Sequence, residues 1–266
     1  DALELSVNRR FSNSWFLGAN YTYSRLYGNY AGLSSTDEIV QGGLPNQSWS
    51  ASQTADAFTA RPGGNANRDY DSDEVMFDSH GKFLEGRLET DRPHVLKVYG
   101  SYSFKWGTEL GLRFYAGSGT PITTRVENLS QIPIMVNGRA DAGRMPTLNQ
   151  TDLLVSQEFK VAEGKKVRLE LNMANLFNQK TARYKQNIVT RYRDSSSAIN
   201  MGDVNLLAGY DWRALLAQTE YAQNPALSSD PNSLDPTKNW AVDPTYGKYD
   251  LFNDGFSGRF AVKFIF

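Results

Sequence analysis

The chain has 266 residues, 28 Lys and Arg against 29 Asp and Glu, no cysteine and a mean hydropathy of −0.51. A formal net charge of −1 gives no pull toward nucleic acid, and the missing thiols exclude disulfides and thiolate metal sites. No apolar run approaches the roughly 20 residues of a membrane helix, whereas alternating strands stay open, and 14 Tyr with 14 Phe suit them.

Leu3, Leu5, Val7 and Phe11 alternate with Glu4, Ser6, Asn8 and Arg10, which predicts a strand. A turn at Ser12-Asn13-Ser14 leads into a second, with Trp15, Leu17, Ala19, Tyr21 and Tyr23 on one side. His94 to Phe104 sets Leu96, Val98, Tyr102 and Phe104 against Lys97, Tyr99, Ser101 and Ser103. Lys105-Trp106-Gly107-Thr108 turns it into Leu110, Leu112 and Phe114 against Glu109, Gly111, Arg113 and Tyr115. Asp152 to Lys160 and Lys165 to Ala174 repeat the pattern across the hairpin turn Ala162-Glu163-Gly164-Lys165. A seventh strand ends the sequence, with Phe260, Val262, Phe264 and Phe266 opposed to Arg259, Ala261, Lys263 and Ile265.

The tight turns alternate with long connections at about 29–92, 119–147 and 179–255. Long structureless connections count against a soluble domain but fit an antiparallel transmembrane β-barrel, with short periplasmic turns and long extracellular loops. The expected fold class is therefore all-β. Trp15, Trp106, Phe11, Phe104 and Phe159 would form the lower aromatic girdle, and Phe266 would be the aromatic terminal residue that serves barrel assembly. Seven strands cannot close an even-numbered bacterial barrel, and an open sheet would leave edges unpaired in hydrocarbon. The expectation is the C-terminal portion of a larger barrel, with Asp1 a processed end or a cut and no plug domain in the sequence.

The side opposite the apolar residues carries Glu4, Arg10, Lys97, Glu109, Arg113, Asp152, Glu158, Arg168, Glu170 and Lys263, expected to face a wet lumen and pair across strands. In the first connection Asp69, Asp71, Asp73 and Glu74 offer calcium-type oxygen ligands, but Glu74 and His80 stand where an EF-hand loop needs Gly and Glu. A solvated acidic loop is the simpler reading. His94 suits a membrane interface better than catalysis, nothing resembles a nucleophile elbow, and neither enzymatic activity nor a cofactor is expected. In the third connection Asp211 should cap a short helix through Trp212, Leu215, Leu216 and Thr219, ended by Asn224-Pro225. Tyr210, Trp212, Tyr221, Trp240 and Tyr246, with Tyr249, are candidate ligand-binding aromatics, although loop packing would use them equally well.

Several strings resemble the C-terminal barrel of TonB-dependent outer-membrane receptors, most of all the Oar-like subgroup. They are Asp91-Arg92-Pro93-His94, Ala116-Gly117-Ser118-Gly119-Thr120-Pro121, Leu171-Asn172-Met173-Ala174-Asn175-Leu176-Phe177-Asn178 and Asp243-Pro244-Thr245-Tyr246-Gly247-Lys248. The resemblance implies a 22-stranded barrel in the outer membrane of a Gram-negative-type bacterium, filled by an N-terminal plug. It also implies a TonB energy-coupling partner that contacts a segment absent from this sequence, contact with outer-membrane lipid, accessory surface proteins and no nucleic acid. The function so implied is uptake of an unidentified ligand. The rivals are a structural or adhesive barrel displaying its loops, and a soluble lectin-like sandwich whose apolar faces meet a second sheet.

Overall fold

The computed structural model describes residues 1–29, 77–127, 133–190, 199–219, 222 and 242–266. In chain order the elements are β1 (Ala2–Ser12), β2 (Trp15–Ser24), β3 (Tyr27–Gly28), β4 (Gly86–Arg87), β5 (His94–Ser103), β6 (Thr108–Gly117), β7 (Val126–Glu127) and β8 (Pro133–Ile134). There follow β9 (Leu148–Ala162), β10 (Lys165–Ala174), β11 (Ala182–Lys185), a helix α1 (Trp212–Ala217), β12 (Tyr249–Phe252) and β13 (Ser257–Ile265). Seven of them make one antiparallel sheet in the order β1-β2-β5-β6-β9-β10-β13, so each long strand pairs with the next long strand along the chain. The alternating segments read from the sequence are these seven strands. Among the described residues no helix is long and apolar enough to cross a membrane.

The tight turns have local causes. Asn13 and Ser14 both take positive φ (53° and 73°), the twist of a two-residue hairpin that matches the strands it joins. Gly107 sits at φ 94°, and a Cβ there would come within 2.7 Å of the Glu158 carbonyl oxygen, so the β5–β6 turn requires glycine.

The register keeps like with like. On one face Leu5 stands opposite Tyr21, Tyr21 opposite Leu96, Leu112 opposite Leu153 and Leu171 opposite Phe260. On the other Asn20 opposes Lys97, Arg113 opposes Asp152, Glu158 opposes Arg168 and Arg168 opposes Lys263. Exposure runs opposite to that of a soluble sheet. The apolar face lies open, with Leu5 57% exposed, Leu171 39%, Val262 46% and Phe264 67%, while Ser156 and Glu170 on the polar face are 2% and 8% exposed. Among the described residues no second sheet covers the apolar face, as the sandwich reading would require. Among the described residues β1 and β13 each have a single neighbour, leaving two open edges.

The apolar core sits in the connections instead. Val126, Ile134, Val136, Val189, Ile199, Trp212 and Leu216 form one buried cluster, with Met201, Tyr210, Leu215 and Val242 packed against it. The second and third connections interlock there. The Arg125 N–H donates to the Asn187 carbonyl (2.9 Å) and the Val189 N–H to the Arg125 carbonyl (2.8 Å). The Asn187 side chain donates to the Thr123 carbonyl (2.8 Å). The two-stranded ribbon β11–β12 lies within the stretch read as one long loop, and the turn Asp243–Lys248 closes onto it. There Asp243 accepts from the Thr245 N–H (2.7 Å), and the Gln186 N–H donates to the Lys248 carbonyl (3.0 Å).

Candidate functional site

The polar face of the sheet is a cross-strand ladder of charges. Arg168 Nη2 donates to Glu109 Oε2 (2.7 Å) and Ser156 Oγ (3.0 Å), and its Nε lies 3.1 Å from Glu170 Oε1. Lys263 Nζ donates to Glu170 (2.8 Å) and Lys166 Nζ to Glu158 (2.6 Å). Asn20 donates to Glu4 and to Ser6 Oγ, the first at 2.5 Å. The Arg113–Asp152 pair is looser at 3.8 Å, and Asp152 spends Oδ1 on the Asn175 N–H (2.9 Å). Thus Glu4, Glu109, Arg113, Asp152, Glu158, Arg168, Glu170 and Lys263 share one face and are partnered. Lys97 shares that face, while Arg10 falls in the bulge between Arg9 and Ser12; among the described residues neither has an ion pair.

At one end of the wall the first and second connections meet it through buried carboxylates, which sequence reading missed. Asp91 has a fully buried side chain. Its Oδ1 accepts from the Leu26 N–H (2.8 Å), and its Oδ2 accepts from Arg87 (3.1 Å) and Arg144. Burial works to raise its pKa, but those three hydrogen bonds outweigh it and hold the carboxyl below the usual carboxylate range. Glu89 Oε1 accepts from Arg125 and Arg139, both at 3.0 Å, with all three side chains under 5% exposed. The available signal was a charge excess, since residues 119–147 carry Arg125, Arg139 and Arg144 against Glu127 and Asp141.

The same end explains other singled-out residues. A Cβ at Gly119 would collide with the Met145 carbonyl at 1.6 Å, and Arg144 Nη1 donates to the Gly119 carbonyl (3.0 Å). His94 shares a 2.8 Å hydrogen bond with Tyr21 through Nδ1 and packs on Tyr23, an aromatic group on the apolar face. At the opposite end Tyr102 meets Phe104 edge to face and Phe104 stacks on Trp106, with centroids 4.7 and 4.5 Å apart, and the Arg9 guanidinium lies 3.9 Å from the Trp15 ring centroid. Two aromatic tiers therefore bound the exposed apolar band.

Beyond the wall, an open cleft of about 700 Å³ is lined by Ser79, His80, Asn137, Gly209, Tyr210 and the first turn of α1. Asp211 caps that helix, accepting from the Arg213 and Ala214 N–H groups (3.0 and 3.2 Å), as its place in the sequence predicts. The helix stops at Gln218, and Asn224-Pro225 falls outside the described residues. Trp212 and Leu216 turn into the core that the connections build, the cap of the wall, so the partner of the helix's apolar face is the rest of that cap. Of the candidate aromatics, Tyr210 and Trp212 meet at the cleft, Trp212 from within the core and with Arg213 stacked 4.3 Å from its ring centroid. The Tyr210 hydroxyl is buried without a hydrogen-bond partner among the described residues, and burial, helped by the charge of Asp78, pushes its pKa up to about 12. Tyr246 is elsewhere, its hydroxyl 3.3 Å from Thr124 Oγ1. Tyr221, Trp240 and the acidic trio Asp69, Asp71 and Asp73 lie outside the described residues. Among the described residues no cluster of His, Asp and Glu could hold a metal.

No protein-family model and no solved structure matches the chain. It is similar to the TonB-dependent transporter Oar of Myxococcus xanthus, 29% identical over 184 residues that cover 67% of this chain and 15% of that protein. The chain is a partial homologue of an Oar-like TonB-dependent receptor. An antiparallel sheet with an open apolar face and two unpaired edges is consistent with a fragment of that receptor's β-barrel. The chain thus spans under a sixth of the length of the relative it matches.

Proposed function

We propose that these residues are wall and loops of an outer-membrane barrel that takes up a ligand with energy delivered by TonB, and that they carry no catalytic chemistry. The reversed polarity of the sheet supports this most strongly. A face of Leu, Val and Phe that no protein layer covers requires another apolar medium, and acyl chains are that medium for a closed sheet. The partnered charges then line an aqueous interior, and the two open edges are met by further strands of the same protein. In this reading Glu4, Arg10, Lys97 and the rest of the polar set face the lumen, and the cap with its Tyr210 cleft stands outside the cell. In this reading the plug and the coupling segment belong to parts of the protein other than these residues.

The test is genetic and chemical. Solutes depleted from the medium by wild-type cells are compared with those depleted by cells lacking the full-length protein and by cells lacking the energy-coupling protein. Energised uptake predicts that the two mutants fail to deplete the same solutes. The adhesive reading, which the cap's folded surface keeps as the alternative, predicts depletion unchanged and cell contact reduced.

A further inference from the structure

The charges on the polar face of the wall are unevenly compensated. In the half toward the tight turns Arg168 is held by Glu109 and Glu170, Lys263 by Glu170 and Lys166 by Glu158, at 2.6–3.1 Å. In the half toward the connections the acids are held but the cations are not. Glu4 accepts from Asn20, and Asp152 Oδ1 accepts from Gln150 (2.7 Å) and from the Asn175 N–H (2.9 Å). Lys97 is exposed and has no ion pair among the described residues, and Arg113, its side chain 74% exposed, has only the 3.8 Å contact to Asp152. Arg10 and Arg259 stand on the edge strands β1 and β13, open to strands beyond this sheet, whereas the strands of Lys97 and Arg113 are paired on both sides.

The register sets these two cations on a diagonal. Lys97 stands opposite Tyr115 and Arg113 opposite Tyr99, so two like charges and two phenol rings alternate at the corners of one block of β5 and β6. The roots of the charged side chains are then roughly 7–8 Å apart. The rings leave the diagonal open. Tyr99 lies across Gly18 on β2, where a Cβ would collide with its ring, and Tyr115 lies along β6 over Gly117, where a Cβ would meet its hydroxyl at 2.5 Å. Both rings therefore lean away from the space between Lys97 and Arg113. Two like charges within a Debye length repel, and an anion seated between them removes that cost.

We infer that Lys97 and Arg113 form an anion subsite on the inner wall, and that the solute taken up carries carboxylate or phosphate groups. Arg113 offers a planar fork that matches two oxygens, and Lys97 adds a point charge across the diagonal. Tyr99 and Tyr115 border the subsite with apolar ring surface and a hydroxyl each, which suits the uncharged body of an organic anion. The inference rests on the uptake reading, which turns this face to the lumen and puts this half of the wall near the outer mouth.

Growth medium spent by cells carrying the full-length protein, wild type or variant, can be fractionated on an anion exchanger at neutral pH before mass spectrometry, which tells carboxylates from phosphate esters. The solutes that wild-type cells deplete and deletion cells leave behind should be retained by the exchanger. Lys97→Gln with Arg113→Gln should slow their depletion on the order of 30-fold at limiting concentration, and Arg113→Gln alone about fivefold. Lys97→Arg with Arg113→Lys should keep most of the rate, and heat-modifiable migration should be unchanged in all three; if the double neutralisation does not insert, the single variant decides. Protein-dependent depletion of neutral or cationic solutes only, or a wild-type rate in an inserted neutralised variant, would overturn the inference and leave the uptake reading standing. So would faster hydrogen exchange elsewhere in the purified neutralised variant with no solute added, which would mark the pair as a clamp on a fixed acidic segment of the same protein. Depletion that is the same with and without the protein defeats the uptake reading and the subsite together.

Discussion

In the sheet, Leu5, Leu171 and Phe264 are exposed while Ser156 and Glu170 are shielded, whereas in the cap Val126, Ile134 and Ile199 are fully buried. The same chain therefore follows two opposite rules within a few tens of residues. The difference lies in what each region faces. The cap hides its apolar atoms from water in the ordinary way. The wall does not hide them at all, which is stable only where water is absent. Buried charge also differs between them, since Asp91 and Glu89 are enclosed by arginines in the cap's base while the wall's charges pair laterally along one open face.

The comparison can be broken from either side. The largest effect is expected from Asp91→Leu, which strands Arg87 and Arg144 without their shared carboxylate and should cost about 3–5 kcal/mol of cap stability. Hydrogen exchange of the full-length protein in nanodiscs would show it as lost protection around Leu26 and Arg144 with the wall unchanged. Leu171→Arg should cost roughly 2–4 kcal/mol in a bilayer, since it places a cation toward acyl chains. Denaturant titration in liposomes would measure this, and in a soluble sheet the same exposed position would tolerate the change. Asp211→Ala removes the cap of α1 and should cost about 1 kcal/mol, visible as faster exchange at Arg213 and Ala214 alone.

Acid offers a graded version of the first test. The folded pKa of Asp91 lies below the ordinary aspartate value of 3.8, so its contribution is complete above that pH and is lost as pH falls through the folded value. Protease protection of the cap should thus hold to about pH 4 and fail below it, and Asp91→Asn should abolish that step.

The wall was legible because period-two alternation survives any tertiary context in which one face is apolar, whichever medium that face meets. The cap was not. Its core comes from single residues or pairs such as Val126, Ile134 and Val189, far apart in sequence and without a period to announce them. Glu89 and Asp91 read as surface charges until Arg125, Arg139 and Arg144 arrive from another connection. The four-residue strands β11 and β12 are too short, and too mixed in composition, to stand out from the loop around them. At the cleft, Asp211 and its helix could be read because a cap is local. The burial of Trp212 could not, because it depends on partners as far away in sequence as Val126, Ile134 and Val136.

The most direct measurement places a fluorophore at Leu171, Val262 or Leu112 and, separately, at Lys97 or Asn172 in full-length protein reconstituted into liposomes, and compares quenching by a lipid-phase nitroxide with quenching by aqueous iodide. Lipid-phase quenching confined to the first three positions and iodide quenching confined to the last two is the predicted result. Iodide reaching Leu171 and Val262 as readily as Lys97 would contradict a wall that stands between acyl chains and an aqueous interior.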